Sequence, residues 1–263
     1  NMKIACIGCG VMGSAFMSAI AKKVNPSEIT VCDKFVESAN AFAKKTSCNV
    51  ASNAEAVKNA KYVFLAVKPA FVKEALEEIK DALEKDTVII SMAAGVSLSQ
   101  LREYLAAKYI RIMPNTPAKI CEGMTALCCG EDVCQERICE VTSLLEAAGK
   151  VEKVDEKLMD CVTAVSGSGP AYAFMFIEAM ADAAVKFGMP RKQAYIYAAQ
   201  TLKGAASMVL QEEQNPAALK DAVCSPAGTT IEAVAALEKY GFRNAVIEAV
   251  TAAHDKSVAM GKK

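Results

Sequence analysis

The sequence predicts an α/β chain: a doubly wound parallel sheet over residues 1–153, followed by an all-helical domain over residues 154–263. Three observations carry this. Strand-like apolar runs alternate with helical stretches through the first half. Those runs stop after about Lys153. A Gly-x-Gly-x-x-Gly motif follows the first run and opens the first helix.

The runs "KIACIGC", "EITVCD", "YVFLAV", "TVIISMAA" and "YIRIM" read as five strands. They are apolar almost throughout, as suits a sheet covered by helices on both faces. Helical stretches at about 11–23 and 71–83 lie between them, and "GMTALCC" and "KVEKVD" add strands at the sheet edge. Helices then follow at about 156–165, 171–187, 191–210, 217–223, 230–239 and 242–260. Gly188 and Pro190 mark a stop and a start between two of them. The stretch "AYAFMFIEAMADAAVKF" is interrupted only by Glu178, Asp182 and Lys186. A helix apolar nearly all round is expected to be buried on every side. One small helical domain can hardly cover it, so a second subunit is expected there.

The 263 residues are 53% apolar, enough for a sizeable core. Thirty basic and 30 acidic residues leave no net charge, and no basic cluster marks a nucleic-acid or membrane surface. No apolar run is long enough to span a membrane, and the amino end shows no signal pattern. Eleven cysteines, several within apolar strands, fit a reducing compartment, so a cytoplasmic protein is expected. Cys128, Cys129, Cys134 and Cys139 form no C-x-x-C pair and have no nearby histidine, so no metal site is expected. The one histidine, His254, sits near the end of the last helix, which leaves no Ser-His-Asp set.

The motif is Gly8-Cys9-Gly10-Val11-Met12-Gly13. Gly8 would allow the tight turn, Gly10 the approach of a pyrophosphate, and Gly13 close packing of helix on strand, as in a Rossmann-type dinucleotide site. Asp33, 20 residues past Gly13 at the end of the second strand, is placed to accept hydrogen bonds from a ribose. A glycine turn without a ligand and a flavin site are the alternatives. Further strands end in Ala66-Val67-Lys68-Pro69, in Ser91–Gly95 with Ala93 and Ala94, and in Met113–Pro117 with Asn115. In a parallel sheet these turns converge on the ligand crevice, where a nicotinamide would lie. Glu178 and Asp182 read as an acid pair or as polar spots in an interface. Ser166–Pro170 reads as a flexible lead-in to the apolar helix, a helix-start turn, with a phosphate cradle as the alternative. The stretch "CSPAGTTIEAV" is the mouth of a helix, whose unpaired N–H groups make either a simple cap or an anion seat.

The succession "IGCGVMG", "AVKP", "SMAAGV", "IMPNTP", "SGSGPAYAF", "GMPR", "ALKDAVCSPAGTTIEAVAALE" and "GFRNAVIEA" resembles the pyrroline-5-carboxylate reductase family over essentially the whole chain. The resemblance implies reduction of the cyclic imine 1-pyrroline-5-carboxylate to L-proline by NAD(P)H, the last step of proline synthesis. It implies a Rossmann domain and a helical substrate and dimerisation domain, assembled as a homodimer and in larger form as a decamer. It assigns substrate binding to Ser225, Gly228, Thr229 and Thr230, with Thr230 reaching toward the ring nitrogen and Glu213 close to the substrate. It assigns the cofactor to the glycine loop, to Asp33, Lys34 and Asn53, and to the strand-end turns. Two departures stand out: Ala227 replaces a usual glycine, and Asp33-Lys34 replaces the small or basic residues of NADPH-preferring members. The fixed carboxylate of Asp33 predicts a preference for NADH. The rival readings are a non-catalytic NAD(P)H-sensing regulator and a β-hydroxyacid dehydrogenase-like enzyme, although Gly169–Ala173 offers no lysine for the latter.

Overall fold

The structure, a computed structural model, describes residues 2–212 and 214–262. They fall into two compact units: residues through Ser168 together with the segment from Ala253 onward, and Gly169–Ala252.

The first unit is built on an eight-stranded sheet: β1 Ile4–Ile7, β2 Ile29–Cys32, β3 Asn49–Val50, β4 Tyr62–Leu65, β5 Val88–Ser91, β6 Lys108–Met113, β7 Gly123–Cys129 and β8 Gly149–Lys153. The order is β3-β2-β1-β4-β5-β6-β7-β8. The first six strands are parallel and reverse direction of winding at β1 and β4. β7 runs antiparallel to β6, and β8 parallel to β7. Two features depart from the sequence reading: β3 is too short and too exposed to show in the apolar pattern, and the sheet is parallel only through β6. The 3-10 turn at Thr116–Ile120 is the reason for the second, because it returns the chain within a few residues, too few for a crossover helix.

Helices α1 Val11–Ile20, α2 Val36–Thr46, α3 Asn53–Val57, α4 Val72–Ile79, α5 Leu98–Tyr104 and α6 Gln135–Leu145 accompany the sheet. β1, β4 and β5 are buried at every residue, so alternate side chains feed two cores rather than one core and solvent. Ile4, Cys6, Tyr62 and Phe64 meet Phe16, Met17 and Ile20 on one face. Ala5, Ile7, Val63 and Leu65 meet Val57, Leu76 and Ile79 on the other. Each fully buried large side chain contributes roughly 1.5–3 kcal/mol relative to exposure. Local chemistry fixes the helix starts. Ser52 and Glu55 form a capping box before α3, and the Ser52 bonds hold the Glu55 carboxyl below its usual range.

After β8 comes α7 Met159–Val162, then a π-helical turn at Thr163–Gly167 closed by Ser168 N–H donating to Thr163 O at 2.8 Å. The stretch expected to be a flexible lead-in is therefore helical through Gly167. The second unit consists of α8 Gly169–Lys186, α9 Arg191–Glu212, α10 Pro216–Val223, α11 Thr229–Lys239 and the first part of α12 Phe242–Gly261. α8 and α9 pack as a hairpin, tied by Asp182 and Arg191. Ala181 is the one buried residue of α8 among those described. Phe174 and Met175 on α8, and Ile196 and Tyr197 on α9, are each about 60–70% exposed. The all-round burial expected of α8 does not occur within a single chain. Its apolar surface is left open, and contiguous exposed apolar surface of this kind marks interaction sites.

Candidate active site

Five strand ends of the first unit meet along one edge of the sheet. At the first, Gly8 has φ +104° and donates its N–H to Cys32 O at 2.8 Å. A side chain on Gly8 would lie 2.4 Å from Ala66 O, and one on Gly13 would lie 2.2 Å from Gly8 O. Neither position admits a β-carbon, and that exclusion lets β1, β4 and α1 converge. Gly10 differs, because a β-carbon there would meet nothing within 4 Å. It is the N-cap of α1 and supplies no capping side chain. The loop thus presents an open, positively polarised helix start with bare backbone, the requirement for a phosphate group.

Asp33 closes this loop. One carboxylate oxygen accepts from Cys9 N–H at 2.7 Å and the other from Phe35 N–H at 2.8 Å. The Ser14 hydroxyl donates to Cys9 O at 2.8 Å, an anchor that sequence inspection did not single out. The Cys9 thiol is pushed up to about 12, by burial first and by the Asp33 charge second. It therefore stays neutral and adds no negative charge beside the helix start. Val11 is exposed and Met12 partly buried at the rim. Lys34 leans away from the loop, with its Nζ 3.8 Å from Glu74 and over the Phe71 ring. The Asn53 amide donates to Glu78.

The remaining predicted cofactor positions lie along the same edge. Ala66 N–H donates to Ile7 O at 2.8 Å, and Val67, Lys68 and Pro69 follow into a short 3-10 turn. Ala93 is buried and its N–H approaches the Ser91 hydroxyl, while Ala94 is half-buried. Asn115 Oδ1 accepts from Met124 N–H at 2.8 Å, so its side chain braces β7. A side chain on Gly167 of the π-helical turn would stand 3.8 Å from Met113 Sδ, which places that turn beside the end of β6. π-Helical turns gather at functional sites, and no composition signal announces one.

The second unit carries the other half of the predicted site. Gly228 N–H donates to Ser225 O at 3.1 Å, forming a tight turn with Pro226 and Ala227 inside it. The Ser225 hydroxyl fills the space a side chain on Gly228 would occupy, 2.3 Å from the β-carbon position. Gly228 is the N-cap of α11 and again supplies no capping group. Thr229 is exposed and Thr230 half-buried in the first turn. A helix start without its own cap is available to a carboxylate. Ala227 has φ +57°, the left-handed conformation that usually requires glycine. Glu213 lies outside the described residues. The half-buried His254 faces its neighbour Asp255 at 3.1 Å.

Residues 156–260 match the family model described as pyrroline-5-carboxylate reductase dimerisation, and residues 3–95 match that of NADP oxidoreductase, coenzyme F420-dependent. The chain is 46% identical to the pyrroline-5-carboxylate reductase of Escherichia coli K12, over 99% of this chain and 98% of that one. The chain belongs to the pyrroline-5-carboxylate reductase family. Solved structures agree along the full length. The reductase of Coxiella burnetii matches with a TM-score of 0.93 at 35% identity, covering 100% of this chain and 99% of that one. The pyrroline carboxylate reductase of Plasmodium falciparum, solved with NADP bound, matches at 0.89 and 34% identity, covering 99% and 98%. The start of α11 at Gly228 and the start of α1 at Gly10 both lack a side-chain cap.

The left-handed backbone at Ala227 yields a test. A β-carbon there costs about 1–2 kcal/mol, and glycine gives back roughly 0.5–1 kcal/mol through unfolded-state entropy. Ala227→Gly should therefore stabilise the protein by about 0.5–1 kcal/mol, read from urea melts at fixed protein concentration. Destabilisation of the size seen at an ordinary exposed alanine would show that the turn bears no strain.

Proposed function

We infer that the chain reduces 1-pyrroline-5-carboxylate to L-proline by hydride transfer from NAD(P)H, the closing step of proline biosynthesis. The full-length relationship to pyrroline-5-carboxylate reductases carries this reading. The geometry fits it. Bound NAD(P)H supplies the hydride for the imine carbon. The bare backbone at Gly10 and the start of α1 suit the pyrophosphate, and Asp33 suits the adenosine ribose. The turns after β4, β5 and β6 suit the nicotinamide end. The start of α11 at Gly228 and Thr229 suits the substrate carboxylate, with Ser225 supporting the turn and Thr230 directed to the ring nitrogen. The protonated imine is already electrophilic, so positioning and charge stabilisation suffice without a histidine base.

On this reading residues 1–153 form the dinucleotide domain and residues 154–263 the substrate and dimerisation domain. The exposed apolar faces of α8 and α9 support a homodimer through that domain, and five dimers would make a decamer. Among the described residues no helix is long and apolar enough to cross a membrane. All eleven cysteines are free thiols, which supports a cytoplasmic location. NADH is the favoured cofactor. Each Asp33 oxygen, already holding one backbone N–H, retains a lone pair for a ribose hydroxyl, whereas a 2′-phosphate would face a fixed negative charge. Lys34, drawn toward Glu74, offsets this only by leaving an exposed and therefore weak pair.

The direct test is oxidation of NADH on addition of 1-pyrroline-5-carboxylate; a chain that binds the dinucleotide without turnover would be a sensor instead. Thr230→Ala should lower kcat/KM about 10- to 100-fold, the loss of a hydrogen bond to a charged group, with dinucleotide affinity nearly unchanged. Full turnover in that variant would reduce Thr230 to a helix-start residue. Asp33→Ser should cut kcat/KM for NADH more than for NADPH. A wild type that prefers NADPH tenfold, with a ratio the substitution leaves alone, would refute the role given to Asp33. On α8, Ala179→Glu should give aggregated or unfolded protein, because it puts a charge into the dimer interface. A stable, active wild-type monomer in sedimentation at micromolar concentration would contradict that interface.

A further inference from the structure

Five polar side chains are buried among the described residues: Thr87, Ser91, Arg111, Thr125 and Ser257. Two of them reach acidic residues one helical turn apart. Arg111 sits within β6, its side chain 7% exposed, and its Nη1 donates to Glu156 Oε1 at 3.0 Å. The same Glu156 oxygen accepts from Leu98 N–H at 2.7 Å, at the first residue of α5. Four residues on, Asp160 Oδ1 accepts from the Ser257 hydroxyl at 2.6 Å. That bond brings in the end of α12, where the Gly261 backbone lies against Gly95, whose φ is +74°. The segment between β5 and α5 is thus held at both places: Leu98 by Glu156, and Gly95 by the end of α12. Ala93, Val96 and Leu98 anchor the segment in the core, while its backbone is tied by Met92 N–H to Leu65 O at 3.2 Å and by Ala93 N–H to Ser91 Oγ at 3.4 Å.

An ion pair with one buried partner and one half-buried partner is a poor way to stabilise a sheet. Desolvation offsets most of its attraction, and apolar residues would fill the same volume at least as well. Arg111 even leaves its buried Nε without a hydrogen-bond partner. What a charged pair does provide is direction. An Arg-held carboxylate has a fixed orientation and makes a strong bond to one chosen N–H. Here that N–H is the first of α5, where the loop that follows β5 ends, and that loop lies between the ends of β4 and β6 on the ligand edge of the sheet.

We infer that Glu156, oriented by Arg111, is a positioning residue that fixes the β5–α5 loop to receive the nicotinamide end of the dinucleotide. This rests on the dinucleotide reading above. The test compares Glu156→Ala, the double variant Arg111→Met/Glu156→Gln, and Arg111→Lys. The double variant leaves no unpaired buried charge and keeps an amide oxygen near Leu98, but nothing orients it. Tm, the Kd for NADH by its fluorescence without imine, and the KM for each substrate are measured. Glu156→Ala and the double variant should raise the dinucleotide Kd about 5- to 30-fold while the KM for the imino acid moves less than threefold. Arg111→Lys, which keeps a cation on Glu156, should stay within threefold of wild type. Should Glu156→Ala fail to fold, the double variant decides by the same criterion. Dinucleotide affinity within twofold of wild type in the folded variants, with only Tm lowered, overturns the inference, and so does an Arg111→Lys as weak as the double variant. A wild type that binds no dinucleotide would instead refute the functional reading itself.

Discussion

No side chain fits at Gly8. With Ala66 O only 2.4 Å from where its β-carbon would be, and Gly8 O equally close to that of Gly13, three elements share one small space. β1, β4 and α1 converge there, at the place where the winding of the sheet reverses. The consequences extend outward. α1 can settle onto the sheet and bury Phe16, Met17 and Ile20, and its uncapped start is turned toward the edge where the strands end. A larger residue at Gly8 would force β1 from β4, and with it the crevice into which the other strand-end turns open.

Electrostatics then refines what sterics has placed. Near the start of α1 Asp33 is a fixed anion, held by two backbone N–H groups rather than left to swing. Burial keeps Cys9 neutral, so it adds no second negative charge beside the uncapped start of α1. Charge used for geometry recurs in Arg111 and Glu156, where a buried cation orients a carboxylate toward a single N–H. In both places a carboxylate ends on backbone N–H groups beside a strand-end turn.

The helical unit follows a different economy. α10 and α11 bury no residue of their own, and α8 buries one among those described. The turn leading into α11 accepts a left-handed alanine, so its shape is imposed against local preference. Such a unit draws stability from what covers it, in keeping with the dimerisation model its sequence matches.

The sequence by itself determined the strand-and-helix alternation, the glycine loop, Asp33 and the helix start at Gly228, because each depends on residue types whose local physics is nearly context-free: glycine's missing β-carbon, an apolar strand, an uncapped helix end. The cysteines in β1 and β2 were legible as small hydrophobes for the same reason. Other features were decided only in three dimensions. β3 has two exposed residues and exists through its pairing with β2. The antiparallel turn of β7 follows from a short connection, and the π-helical turn at Thr163–Gly167 has no compositional mark. Arg111 passed unnoticed inside the run "YIRIM", because the partner that gives it a role, Glu156, lies 45 residues away. What Asp33 and Glu156 hold could not be read along the chain, because a carboxylate's hydrogen bonds are chosen by whichever backbone N–H the fold brings within 3 Å.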